Sequence, residues 1–485
     1  MEDLFARTPG NFIDGAWETD EPEWMDATNP ATGEVLAKLP KSSRATVVRA
    51  IAAARRAQPA WAKATPWERA ALCSRLAQAI QAAQSRLARV LSLDQGKPLA
   101  QAVSEIGRAI EGFRMAGEHV KSMKGEIIPT ETPGRLVLAR RRPRGVYAVV
   151  TPWNFPVNIP VEYLAPALAT GNAVVWVPAP TTSLVAVEFI RILEEADLPP
   201  GLLNLVIGEG AVVGDEAVSN PGTHAVGFTG SIATGRRIAE RAAGKPLLLE
   251  LGGNGPLIVR ADADLEKAAN AAALGAFSNA GQICAATGRV LADASIAATF
   301  ADLVREKAEE YVLGDPLQQG TTMGPLNNEN VLAKTQTHVD NALAGGARCL
   351  TGGRARPDLG SKLFFEPTVL VDVTPQMDIA REETFGPVVP VLALRGDDEL
   401  MAVAADSRYG LSMGIFSEDI GKALAMADAL RAGIVNINER TNFWELHIPF
   451  GGGTGTQSGL GRLGGEHTME AMTEIYTVTL PQQSV

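Results

Sequence analysis

A chain of 485 residues, 46% of them hydrophobic, can bury a large core and, at roughly 100–200 residues per domain, should divide into two to four domains. Its 44 Lys and Arg against 55 Asp and Glu leave a formal net charge of −11, which disfavours sequence-independent binding to nucleic acid or anionic lipid. Three cysteines, Cys73, Cys284 and Cys349, without CxxC or Cys/His spacing, encode neither a disulfide framework nor a structural zinc site.

The opening stretch MEDLFARTPGNFIDG has no basic segment leading into an apolar one, and no run reaches ~18 uninterrupted apolar residues. The expectation is a soluble, cytoplasmic protein with no membrane partner. Apolar residues at three-to-four spacing over 45–58, 67–93 and 101–121 predict a mostly helical first quarter. From 146 the pattern changes to short β-branched runs, VYAVV at 146–150, AVVWV at 173–177 and LNLVI at 203–207, alternating with helical stretches such as 183–197. That alternation is the signature of a parallel sheet covered on both faces. A second series follows LELGG at 249–253, with helices expected over 262–281, 297–311 and 327–345 and strands over 288–292, 388–394 and 433–438. Two α/β domains in tandem are implied. Gly/Pro-rich punctuation near 125–134 and 449–465, each beside a strand-like stretch (RLVLARRRP and EIYTVTL), marks arms that pair with something. The run Arg140-Arg141-Arg142 then reads as a solvated or interface strand rather than a nucleic-acid site.

Chemistry concentrates in a few segments. GFTGSIATGRRIAERA at 227–242 is a strand end followed by Gly230, Ser231 and an amphipathic helix, whose free amides suit a phosphate. GEGAVVG at 208–214 has a GxGxxxG spacing close to a dinucleotide fingerprint. Taken singly, each makes an ordinary strand-to-helix turn. GQICAATGR at 281–289 puts Cys284 in a small-residue, uncharged setting, where a thiol is a carbonyl nucleophile once a base or a lowered pKa activates it. A lone cysteine is more often buried and inert, which is the reading for Cys73 and Cys349. Cys284 differs by its company. Glu250 closes an apolar strand ahead of two glycines, where desolvation raises its pKa toward general-base work. Asn154, between Trp153 and Phe155, offers an amide N–H to an oxyanion, an ordinary Asx turn being its bland alternative.

TPWNFP, GFTGS, LELGG, GQIC with Arg289 five residues on, EETFGPV at 382–388 and PFGG at 449–452 stand in an order that resembles the aldehyde dehydrogenase superfamily across essentially the whole chain. The resemblance implies an α/β fold with a Rossmann-like cofactor domain (1–122 and 144–251), an α/β catalytic domain (252–453) and a β-arm (123–143 and 468–485) for homodimers or homotetramers. By the same resemblance Cys284 is the nucleophile that forms a thiohemiacetal, Asn154 and the Cys284 backbone N–H are the oxyanion hole, and Glu250 is the base for the deacylating water. NAD or NADP would be held by Thr151, Pro152, Trp153, Pro180, Gly208, Gly230, Ser231 and Gly252, with Glu383 and Phe385 on the nicotinamide ribose and ring. Asn158, Glu162 and Ser278 would line the tunnel for a small-molecule aldehyde, whose polar lining favours polar substrates, with Arg440, Trp444 and His447 near its mouth. No metal is required.

The chain departs from the family pattern at several points. Val177 stands where a Lys is usual, Pro180 where NAD-preferring members often have a Glu, Glu162-Tyr163 where a Trp-Lys pair is common, and Asn254 where LGGK has its Lys. The loop PFGGGTGTQSGLGR at 449–462 is longer than usual and lacks its Lys. Two alternatives follow: a member that passes the thioester to coenzyme A, which has no use for the base Glu250, or a catalytically weak binding or structural relative. Against the latter, drift after loss of activity has no reason to spare Cys284, Asn154, Glu250 and Glu383. A kinase reading fails on motif grounds, since no GxxxxGK[ST] occurs, and the five histidines lack ligand spacing.

Overall fold

The computed structural model describes residues 8–481; positions 1–7 of the expected cofactor domain and 482–485 of the expected arm lie outside the described residues. The β-branched runs pair as expected. Leu247–Glu250, Ala225–Thr229, Val146–Val150, Ala173–Val177 and Leu203–Leu205 lie side by side in parallel. Ala173–Val177 and Ala225–Thr229 are buried at every residue, as strands covered on both faces must be. Helices Arg44–Lys63 and Asn158–Ala169 pack against this sheet. Antiparallel strands extend it at both edges, Asn11–Ile13 and Ala16–Glu18 on one side and Gly459–Leu460 on the other.

The second sheet runs Arg348–Thr351, Thr368–Val371, Val388–Leu394, Thr287–Asp293, Gly255–Val259, Ser412–Phe416, Ile434–Ile437, parallel except at its first pair. Each sheet has its own core, and a small third cluster of Ala285, Leu411 and Phe450 packs against Cys284. The two arm stretches pair with each other: Arg135–Pro143 lies antiparallel between Glu126–Ile128 and Thr473–Pro481. Within that ribbon Arg142 Nε bonds Glu474 at 2.6 Å and its guanidinium lies 4.9 Å from the Tyr476 ring, so the basic run is an arm strand.

Three expectations are corrected. The first quarter also holds strands Asn11–Ile13, Ala16–Glu18, Trp24–Thr28 and Val35–Pro40, too short for periodicity to reveal. Its first hairpin turns on Asp14-Gly15, both at positive φ (54° and 80°), the strongest short-range hairpin signal a sequence carries. The helix expected over 67–93 is two, Pro66–Ala82 and Gln84–Gln95, because Ala83 leaves the helical well at φ −96°, ψ 6° while the apolar spacing runs on. GEGAVVG forms a widened turn at Gly210–Gly214 leading into Asp215–Ser219 rather than a tight dinucleotide turn. Among the described residues no helix is long and apolar enough to cross a membrane.

Candidate active site

Three adjacent parallel strands end together, and the residues after them form one wall of a cleft: Pro152, Trp153 and Asn154 follow Val146–Val150, Gly230 and Ser231 follow Ala225–Thr229, and Gly252 follows Leu247–Glu250. Carboxyl ends of strands are where open α/β sheets bind ligands. The second sheet supplies the facing wall from segments that precede its strands, Cys284 before Thr287–Asp293 and Glu383 and Phe385 before Val388–Leu394. The enclosed volume is about 250 Å³.

Backbone strain sets this second wall. Asn279, Ala280 and Gly281 are successively left-handed (φ 49°, 53° and 75°), turning the chain after helix Leu265–Phe277 toward Cys284. Phe385 is left-handed too (φ 62°), and a Cβ on Gly281 would stand 2.2 Å from the carbonyl oxygen of Gly386. Each such non-glycine residue costs about 1–3 kcal/mol, so the packing around the two loops holds them. The Phe385 ring meets Trp153 edge-on, centroids 5.5 Å apart. Three motifs converge on one acceptor, the Ala380 carbonyl, which receives Asn254 Nδ2 and Arg289 Nη1, each at 3.2 Å. The segments just after LELGG and GQIC are therefore tied to the short helix Asp378–Arg381 that precedes EETFGPV.

Asn154 is nearly sealed, 3% exposed; its Nδ2 donates to Gln282 O at 2.9 Å and its Oδ1 has no partner. Glu250 is 2% exposed with neither oxygen hydrogen-bonded. Burial pushes its carboxyl well above the ordinary range, the charge of Glu162 pushes further, and Arg462 opposes. Glu383 accepts from Gly253 N at 3.0 Å and is pushed up to about 7, chiefly by burial. The setting of Cys284 is not uncharged: burial raises its thiol first, and the carboxylates of Glu383, Glu250 and Glu162 raise it further. Cys73 is buried as expected, but Cys349 is exposed on an edge strand.

Glu250 is not among the residues lining the cleft, although Leu251 and Gly252 beside it are, and other expected residues fall outside it too. Thr151 Oγ1 accepts from Trp176 Nε1 at 2.8 Å, Gly208 packs on Ser42 and Val213, and Pro180 opens the short turn Pro180–Thr182. Asn158 Nδ2 donates to Glu162 Oε1 at 2.6 Å, and Glu162 lines a separate space of about 30 Å³. Ser278 Oγ closes the end of its helix on Leu274 O at 2.7 Å. Of the residues expected near the mouth, His447 lies 3.6 Å from Glu445, while Arg108, which no motif flagged, stacks 4.8 Å from the Trp444 ring and bonds its carbonyl. Asn330, Val331, Lys334 and Thr384 also line the cleft and were missed. The only signal for the first three was the helix expected over 327–345, which says nothing about which of its faces meets the cleft.

A second space of about 240 Å³, lined by Val150, Gly210, Gly214, Thr234 and Ile238 with Arg237 and Arg241, flanks the same helix Ile232–Arg241 from its other side. Ser231 lines the first space and caps that helix, accepting from Thr234 N at 3.3 Å. One space at the N-cap of this helix and another along its flank would suit a dinucleotide, with the pyrophosphate at the free amides of the helix N-terminus.

Residues 17–478 match the sequence profile of the aldehyde dehydrogenase family. The chain belongs to that family. It is 39% identical to the 3-sulfolactaldehyde dehydrogenase of Pseudomonas putida over 97% of this chain and 96% of that one. It is 38% identical to the NADP(+) succinate-semialdehyde dehydrogenase of Escherichia coli strain K12, with 96% of each covered. The solved betaine aldehyde dehydrogenase of Staphylococcus aureus in complex with NAD+ superimposes with a TM-score of 0.96 at 34% identity, covering 100% of this chain and 97% of that one. This aldehyde dehydrogenase oxidises an aldehyde to the carboxylic acid with NAD(P).

Proposed function

We propose that Cys284 is the nucleophile of this dehydrogenase, Asn154 and the Cys284 backbone N–H its oxyanion hole, and Glu250 its deacylating base. The observation that carries the reading is that Cys284 and Asn154 line one cleft with Glu383 and Phe385, the Asn154 amide being bonded to the segment that bears Cys284. The Cys284 thiolate adds to the aldehyde carbon, and the alkoxide that forms faces the Asn154 amide. When bound, the nicotinamide supplies the hydride acceptor. Loss of hydride leaves a thioester on Cys284, and water deprotonated by Glu250 releases the acid and restores the thiol. Glu383 and Phe385 hold the nicotinamide end, and Ser231 the pyrophosphate. A coenzyme A acceptor would leave the buried, unpartnered carboxyl of Glu250 without a task.

The substrate is a polar aldehyde, in keeping with the sulfolactaldehyde and succinate semialdehyde in the names of the relatives. NADP serves at least comparably with NAD, because Pro180 presents no carboxylate to repel a 2′-phosphate. Beside Pro180 the exposed neutral donor is Thr181, since Thr182 and Ser183 are buried and Ser183 Oγ bonds Ala179 O at 3.0 Å. The arm ribbon, with Ile127 and Ile475 73% and 62% exposed, joins copies into dimers or tetramers in the cytoplasm. Cys284→Ala tests the core of the reading: a folded, cofactor-binding variant without dehydrogenase activity is expected, and retained turnover overturns it.

A further inference from the structure

Lys97 lies outside the cleft, in the turn between helices Gln84–Gln95 and Leu99–His119, yet its side chain and that of Glu105 are each only 1% exposed. Its ammonium bonds Glu105 Oε2 at 2.5 Å and Asn154 O at 2.8 Å, and stands 4.0 Å from the centre of the Phe155 ring. The other carboxylate oxygen, Glu105 Oε1, accepts the backbone N–H of Val157 at 2.9 Å and of Asn158 at 3.1 Å. One buried pair thus grips the loop 154–158 along its length. A third hand, Asn279 Nδ2, reaches Asn154 O at 3.0 Å from the strained turn before Cys284.

Taking two charges out of water costs several kcal/mol per ion, and packed apolar residues of the same size would hold two helices at least as firmly. A point charge does what a methyl group cannot: it fixes the direction of a peptide. The direction matters here because Asn154 Nδ2 already gives one hydrogen to Gln282 O, and only the second is left for the cleft. An amide aimed at a developing oxyanion loses most of its effect when displaced by about 1 Å.

We infer that Lys97 and Glu105 are positioning residues for the reaction, locking the Asn154 backbone so that its side-chain amide meets the alkoxide formed on Cys284. The inference rests on the reading of Asn154 as the oxyanion donor. Neither residue touches substrate or cofactor.

A double-mutant cycle on the hydride step separates the two claims. Single-turnover release of reduced cofactor is measured in Asn154→Ala, Lys97→Met, Glu105→Gln and the doubles with Asn154→Ala, with cofactor affinity measured alongside. Asn154→Ala is expected to slow the step on the order of 100-fold. Lys97→Met should slow it about 10- to 100-fold with cofactor affinity unchanged, and Lys97→Arg should recover part of the loss. The double variant should be no slower than Asn154→Ala alone, because the pair acts only through that residue. Glu105→Gln, which turns an amide nitrogen toward the ammonium, should follow the same pattern and serves if Lys97→Met does not fold. Multiplicative losses in the doubles, or a loss confined to cofactor affinity, overturn the positioning role. A fully active Asn154→Ala overturns the oxyanion reading beneath it.

Discussion

Gly451 faces the carboxyl of Glu250 so closely that a Cβ there would stand 2.9 Å from Glu250 Oε1 and 3.1 Å from Arg462 Nη1. Its φ of 154° disfavours a side chain as well. The first glycine of PFGG thus leaves room for a buried carboxyl beside the Arg462 guanidinium, which favours its ionised form. Gly451→Ala should displace Glu250 and lower kcat on the order of 100-fold, with the first turnover of hydride release preserved. Stopped-flow traces check this: a kcat equal to that of the parent would mean that Glu250 does not depend on the gap.

Glu250→Gln isolates the same residue chemically. The substitution keeps size and burial but removes the base, so acylation should proceed and hydrolysis stall. A burst of reduced cofactor near one per site, followed by a slow steady state, is expected. Absence of the burst with normal hydrolysis of a preformed thioester would assign Glu250 to the wrong half of the reaction.

Much of this site was legible because its residues are contiguous with strand ends. Thr229-Gly230-Ser231 and Glu250-Leu251-Gly252 are where apolar strand-like runs stop, so the sequence pattern itself marks the cleft wall. Cys284 was legible by its motif, but its electrostatics were not, since Glu383, Glu250 and Glu162 come from three distant segments. Lys97, Arg108 and Lys334 were invisible for the same reason: nothing local distinguishes a buried or site-facing cation on a helix or its turn from a solvated one. The Gly-rich loop hid strand Gly459–Leu460, whose pairing with Leu249 and Glu250 no alternation announces.

The acidic ring around Cys284 predicts a pH dependence. Burial and three carboxylates raise the thiol above its ordinary range, and only the thiolate is alkylated, so iodoacetamide should react slowly at neutral pH and faster as pH rises. Glu162 is itself pushed up to about 8, chiefly by burial, so it is mostly neutral at pH 7 and mostly ionised at pH 9. Glu162→Gln should therefore alkylate at Cys284 like the parent at the lower pH and faster at the higher one. Because Cys349 is exposed, the rates must be read peptide by peptide by mass spectrometry. Equal rates at pH 9 would remove Glu162 from the field acting on Cys284.

The substrate prediction turns on the same carboxyl and its neighbour. Asn158 gives its Nδ2 to Glu162, while its Oδ1 is buried without a donor, and Arg108 is the cation whose charge opposes the rise of the Glu162 pKa. An unsatisfied buried acceptor costs about 1–3 kcal/mol, a cost that a donor on the substrate would relieve and an alkyl chain would not. Hydroxylated or amino aldehydes should then exceed alkyl aldehydes of equal length in kcat/KM by about 10-fold or more. Glu162→Leu frees Asn158 Nδ2 and removes a second acceptor, so it should lower the preference without abolishing turnover of the alkyl series. If the parent already prefers alkyl aldehydes and the substitution leaves that order unmoved, Glu162 and Asn158 serve the fold of helix Asn158–Ala169 and do not select the substrate.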